Sequence, residues 1–362
     1  MKYRRIYSAV FVVLVTIYLS LVLIFAYLCL CIGCLGRGTL VSKAVRKIQV
    51  FWFCMLSTYA LYLCPTEIVV WYDTEKELEA IRWCVSGKGR KDSFVVISNH
   101  QLQTDWIYLY RVFLWLGREE TVKIVAKQAL RRIPVIGLGM RMFGFVFLER
   151  DWRAEKDKYT RRIEELAEKE DFSLLIFPEG TIRTADTIGK ARKHVEKTSI
   201  EEYKNVLVPR YKGCLAALKA GRQRVCGVID FSVSYDTVFE SDSIDYEIGI
   251  FPLFTAGTGP ERINIRVDYH PVEEVPVNGE TADGKPVFCD WLHGVFRRKD
   301  ERIARYRREG VLGRECFRQS IPEARTAVLA FSFLLLSVLS FFFLERFLIL
   351  LLACCSIKPW RT

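Results

Sequence analysis

Asn99 and His100, with Asp105 five places after the histidine, form the densest concentration of potential chemistry in the 362-residue chain. A neutral imidazole takes up a proton near physiological pH, and a carboxylate on its other ring nitrogen fixes the tautomer and stabilises the cation. Such a pair describes a general base. A lone His/Asp pair is more often a histidine that merely satisfies a loop, so the elements around it decide. Phe94–Ile97 is an apolar, β-branched run too short for a helix, which suits a buried strand ending just before the histidine. Asp105 opens a helical pattern to about Leu116, with Thr104 as its expected cap. Strand, turn and helix therefore meet at the titratable pair, at the mouth of a sheet where α/β enzymes keep their sites.

Further strand ends carry polar groups. Gly144–Leu148 delivers Arg150, and Ser173–Phe177 runs into Pro178, Glu179, Gly180 and Thr181 with Arg183 close behind. A glycine there lets a ligand approach the backbone, whose amides together with an arginine suit a phosphate. A base beside an anion cradle implies acyl or phosphoryl transfer involving an anionic alcohol.

The intervening stretches must hold these ends together. Helices are expected at Thr74–Cys84, from Lys127 to near Pro134, through Pro134–Phe143, at Trp152–Glu170, at Gly213–Ala220 and at Lys285–Glu309. Strands are expected at Thr121–Ala126, Val206–Val208, Val225–Val233, Tyr246–Phe251 and Arg262–Asp268. The alternation predicts an α/β domain with a mixed, largely parallel sheet flanked by helices. Gly137 and Gly139 suggest close packing, and the Lys285–Glu309 helix has an apolar side suited to a membrane or to the domain.

Hydrophobic residues make up 51% of the chain and aromatics 13%, and the excess is localised. Ile6–Gly36 is uncharged and long enough to span a bilayer, which reads as a retained anchor; Ile48–Thr66 is a second uncharged run that could cross, re-enter or lie in the interface. Thr326–Leu344 and Phe347–Ile357 form a third region, broken by Glu345 and Arg346. The expected organisation is membrane segments over 1–73, a catalytic domain over 74–315 and membrane segments over 316–362. The flanking charges leave orientation open. The net charge of +11 gathers in basic stretches at Arg37–Lys47, Lys123–Arg132 and Arg297–Arg314, which beside membrane segments favour anionic lipid over nucleic acid. Many of the 12 cysteines lie in apolar runs, which argues against a disulfide framework. Four histidines and no cysteine–histidine cluster argue against a zinc site, and the C-x-x-C of Cys31 and Cys34 lies inside an apolar run.

Four blocks then occur in order: Asn99-His100 with Asp105, Gly144 to Arg150, Phe177 to Thr181, and Val208-Pro209-Arg210. Together they resemble the glycerolipid acyltransferase family, the lysophosphatidate acyltransferases and their relatives. The lines YKNVLVPRYKG and RINIRVDYHPVEEVP resemble the eukaryotic lysocardiolipin and lysophosphatidylinositol branch. The resemblance implies His100 as general base, Asp105 as its orienting partner, and Asn99, Lys127, Arg150, Glu179, Gly180, Thr181, Arg183 and Arg210 in lysophospholipid binding. It also implies acyl-CoA as co-substrate with no cofactor, and an endoplasmic reticulum membrane location. One departure stands out: where much of the family has arginine directly after Gly-Thr, this chain has Ile182, with Arg183 one place later. A transacylase drawing its acyl group from phospholipid and a silent lipid-binding protein are the alternatives.

Overall fold

The computed structural model describes residues 38–76, 79, 93–133, 136–149, 151–198, 203–236 and 249–319. The chain divides into two compact units, Met1–Ile48 with Ile321–Thr362, and Gln49–Ser320; the sheet and the site belong to the second. The expected spans Ile6–Gly36, Thr326–Leu344 and Phe347–Ile357 lie outside the described residues, as do Arg150 and most of the expected Thr74–Cys84 helix.

Eight strands form one sheet: β1 (Glu67–Tyr72), β2 (Ser93–Ser98), β3 (Val122–Lys127), β4 (Val146–Leu148), β5 (Ser173–Ile176), β6 (Val225–Tyr235), β7 (Arg262–Pro271) and β8 (Arg314–Gln319). Their spatial order is β4-β3-β5-β2-β6-β7-β1-β8. The run β4 to β6 is parallel throughout, whereas β7 lies antiparallel to β6, and β8 antiparallel to β1. Central strands of a parallel sheet are covered on both faces, which is why Ser93–Ser98 is buried at every position.

The helices are α1 (Gly38–Leu63), α2 (Asp105–Trp115), α3 (Ile136–Met142), α4 (Trp152–Lys169), α5 (Ala185–Thr198), α6 (Tyr211–Ala220), α7 (Ile250–Ala256) and α8 (Val287–Glu309). Val95 and Ile97 of β2 point to one face, where Ile163 of α4, Leu218 of α6 and Phe296 of α8 join them in one core. Each such side chain contributes roughly 1.5–3 kcal/mol on burial. On the other face, Phe113 of α2 meets Phe231 of β6 edge-on at 5.6 Å. Phe53 of α1 stacks on Tyr110 at 4.6 Å, and Gln49 Nε2 donates to the Val122 carbonyl at 2.6 Å.

Several expectations are corrected. Ile48–Thr66 is the distal part of α1 followed by a turn, and it packs on the domain; among the described residues no helix is long and apolar enough to cross a membrane. Lys127 ends β3, and the basic residues after it form a single 3₁₀ segment, Gln128–Arg132. Val206–Val208 joins no ladder; the buried Val206 amide donates to the Asp300 carboxylate instead. Ile250 and Phe251, expected in a strand, begin α7. The glycine expectation holds at Gly137, where an added Cβ would sit 2.2 Å from the Arg131 carbonyl oxygen. For α8 the choice is the domain, since Lys299 is fully buried, bonded to Asp230 and to the Phe231 carbonyl. Burial depresses the Lys299 ammonium below the usual lysine range, partly offset by Asp230.

Candidate active site

Because β2, β3 and β5 run parallel, their C-terminal ends share one edge of the sheet. His100 follows β2, Lys127 closes β3, and the Pro178–Thr181 turn follows β5. The chemistry-bearing residues were scattered along the chain and are collected here by topology alone.

His100 Nδ1 lies 2.9 Å from Asp105 Oδ2. A carboxylate only accepts, so Nδ1 carries the proton and Nε2 is left as the basic nitrogen. The imidazole is 18% exposed while the Asp105 side chain is fully buried, so substrate can reach the ring but not the carboxylate. Asp105 Oδ2 also accepts the backbone N–H groups of Gln101 at 2.7 Å and Leu102 at 3.1 Å, and Oδ1 accepts the Tyr235 hydroxyl. This corrects the expected cap: Thr104 makes no side-chain bond at the helix start, and Asp105 itself gathers the preceding amides. Burial and the Asp105 charge push the Tyr235 phenol far above its ordinary range, so it remains a donor.

The turn after β5 clamps the histidine. The Phe177 ring stacks on the imidazole with centroids 4.1 Å apart. Glu179 Oε1 accepts the His100 backbone N–H at 3.3 Å, and the Arg183 N–H donates to the His100 carbonyl at 3.1 Å. Ring and backbone are thereby fixed against the same turn. Gly180 sits at φ +70°, a conformation open chiefly to glycine, and an added Cβ would lie 3.7 Å from Arg210 Nη1. The exposed Arg210 guanidinium therefore lies over the bare backbone beside the histidine, while its own N–H is anchored on the Pro178 carbonyl at 2.8 Å. A base, an accessible backbone turn and a guanidinium suit an anionic alcohol that must lose its proton.

Residues 76–235 match the family described as Acyltransferase. Relatives lie among lysophospholipid enzymes. The 2-acyl-1-lysophosphatidylinositol acyltransferase of Saccharomyces cerevisiae is 27% identical over 250 residues, 60% of this chain and 62% of the relative. Lysocardiolipin acyltransferase 1 of Gallus gallus is 27% identical over 235 residues, covering 64% and 58%. Lysophosphatidylinositol acyltransferase 10 of Caenorhabditis elegans is 29% identical over 195 residues, covering 52% and 48%. The matched stretch thus spans between about half and three-fifths of these relatives' own lengths.

Within the matched segment the other expected site residues divide. Lys127 is exposed at the end of β3, on the edge that carries the histidine, and Thr181 is half-buried in the turn. Asn99 is fully buried and bonds Val233 through both ends of its amide, donating at 2.9 Å and accepting at 2.8 Å. It ties the end of β2 to β6 and offers nothing to a ligand. Glu179 is buried too, where its role is toward backbone: burial holds its carboxyl well above the usual carboxylate range, eased by bonds from the His100 and Leu207 amides. Arg183 directs Nη2 to the Lys204 carbonyl at 2.6 Å. Among the described residues no cluster of His, Cys, Asp or Glu could hold a metal ion.

Phe177, Gln101 and Tyr235 were missed by sequence reasoning. Phe177 had a usable signal, an aromatic directly before the Pro-Glu-Gly turn, and Gln101 adjoins the histidine. Tyr235 had none, being 130 residues from the carboxylate it serves.

Proposed function

We propose that the protein transfers a fatty acyl group from acyl-CoA to the free glycerol hydroxyl of a lysophospholipid at a membrane surface. The observation that carries this is the 2.9 Å His100–Asp105 pair, with its ring open to substrate beside Gly180 and Arg210. The names of the relatives support a lysophospholipid acceptor, lysophosphatidylinositol or lysocardiolipin ahead of lysophosphatidate.

His100 Nε2 takes the hydroxyl proton while the oxygen bonds to the thioester carbonyl carbon. Asp105 stabilises the imidazolium. As the tetrahedral intermediate collapses the carbon–sulfur bond breaks, and His100 returns its proton to the departing thiolate to give free CoA. Arg210 and the Gly180 turn hold the headgroup phosphate, with Lys127 and Thr181 beside them and a contribution from Arg150 carried by the family resemblance alone; Arg183 shapes the turn from its bond to Lys204. The apolar runs at both chain ends suit a multi-pass anchor in the endoplasmic reticulum membrane, which would bring the site to insoluble substrates.

The test is acyl transfer by the purified full chain from labelled acyl-CoA to a panel of lysolipids, with His100→Ala as control. A positioned base contributes about 10²- to 10⁴-fold, and the variant should lose at least that much while remaining in the membrane fraction. Undiminished turnover in the variant would remove His100 from the reaction. Transfer from phospholipid without added acyl-CoA would instead make the enzyme a transacylase.

A further inference from the structure

One segment outside the catalytic pair ties the blocks of the site together. Residues 203–207 form an irregular strap in which Asn205, Val206 and Leu207 are buried. Buried backbone groups outside a ladder need partners, and those of the strap are used in two directions.

Toward the site, the Lys204 carbonyl accepts Arg183 Nη2 at 2.6 Å and the Asn205 carbonyl accepts Gln101 Nε2 at 2.9 Å. Both donors hold the catalytic pair directly. Arg183 donates its N–H to the His100 carbonyl, and Gln101 donates its N–H to Asp105. Away from the site, the strap rests on α8. Asp300 Oδ1 accepts the consecutive N–H groups of Asn205 and Val206, and the Asp300 carbonyl accepts Asn205 Nδ2 at 3.0 Å. Arg307, two turns along the same helix face, donates to Asn205 Oδ1 at 2.7 Å.

We infer that Asp300 is a positioning residue: its carboxylate, bonded to Asn205 and Val206 and not to the catalytic pair, sets where His100 and Asp105 stand. A single oxygen accepting two successive amides fixes the torsions between them. Without it, both buried N–H groups must find new partners. The strap then shifts, and the Lys204 and Asn205 carbonyls move off Arg183 and Gln101. A displacement of about 1 Å at a reacting group costs on the order of 10²-fold in rate. The catalytic consequence rests on the acyl-transfer reading; the mechanical linkage does not.

The experiment compares Asp300→Ala, Asp300→Asn and Ile303→Ala in the purified full chain, by hydrogen exchange and by acyl-transfer kinetics. Ile303 is a buried core residue of α8, and it serves as a control for general loosening of the helix. In Asp300→Ala, amide exchange should accelerate in the 99–104 peptide as well as in 203–208. Its kcat should fall about 10- to 100-fold, with KM for acyl-CoA held within about twofold. Asp300→Asn keeps an accepting oxygen and should restore both readouts. Ile303→Ala should lower the melting temperature without either change. Faster exchange confined to 203–208, no rescue by asparagine, or an equal kcat loss in Ile303→Ala would each overturn the inference. If the wild type transfers no acyl group at all, the acyl-transfer reading fails and the exchange measurements still decide the linkage.

Discussion

Asp105→Asn separates the charge of the orienting carboxylate from its geometry. Asp105 Oδ2 accepts three N–H groups, from His100, Gln101 and Leu102, and Oδ1 accepts the Tyr235 hydroxyl. An asparagine can meet the three N–H demands in one orientation, with the contact to Tyr235 reversed. Its oxygen takes the Oδ2 place, and its NH₂ donates to the Tyr235 oxygen, which is both donor and acceptor. The reverse orientation would aim an amide NH₂ at two backbone N–H groups, leaving both unpaired at about 1–3 kcal/mol each. The two backbone amides therefore lock the variant with its oxygen toward His100, and the Nδ1–H tautomer survives. What disappears is the charge. A hydrogen bond to a charged group contributes roughly 1.5–3 kcal/mol against 0.5–1.5 for a neutral one, a difference of about 1–2 kcal/mol. At 1.36 kcal/mol per factor of ten, that predicts a loss of about 5- to 30-fold in kcat. Where an asparagine instead imposes the wrong tautomer, as in the serine proteases, the loss is about 10⁴. The assay is kcat for acyl transfer from saturating acyl-CoA to a fixed lysolipid in mixed micelles, at a pH where neutral histidine predominates. A loss near 10⁴ would refute the argument that the Gln101 and Leu102 amides dictate the orientation.

Two further outcomes are expected. Asn99→Ala orphans the Val233 N–H and carbonyl, both buried, and should cost roughly 2–5 kcal/mol by denaturant unfolding; unchanged stability with a raised lysolipid KM would instead assign Asn99 to binding. Burial raises the Glu179 pKa in the fold above its ordinary value of 4.5, so the stability tied to its proton is complete below that value and is lost as pH rises toward the folded pKa. Glu179→Gln has no proton to lose and should gain on the wild type in melting temperature from about pH 5 to 8. A pH-independent difference would mean that the Glu179 proton is not coupled to folding.

What could be read in the linear chain were the features carried by neighbours in sequence. Phe94–Ile97 as a strand, the helix from Asp105 and the His/Asp pair all rest on local pattern, and the structure has them as expected. Trp152–Glu170 was equally legible, because Tyr159, Ile163 and Leu166 fall on one buried side of α4. The failures share a cause. Val206 and Leu207 look like strand because they are apolar, yet the Val206 amide goes to Asp300, which no local pattern could announce. Glu67–Tyr72 was hidden behind an apolar run, and its partners β7 and β8 come far later in the chain. In the site, Asn99 was rightly noticed and wrongly aimed, since polar residues at a strand end serve the fold as readily as a ligand. Thr104 makes no side-chain cap, and the carboxylate one residue on instead accepts the Gln101 and Leu102 amides ahead of the helix.

The pairing of β1 with β7 has a consequence for synthesis. Glu67 lies beside Arg262, 195 residues downstream. At about 5–20 residues per second, a ribosome takes roughly 10–40 s to produce the strand against which β1 closes. Meanwhile Ile68, Val69, Val70 and Trp71, all buried in the finished protein, wait as an unpaired apolar ribbon on the nascent chain. Until then they are a surface that a chaperone could cover during translation.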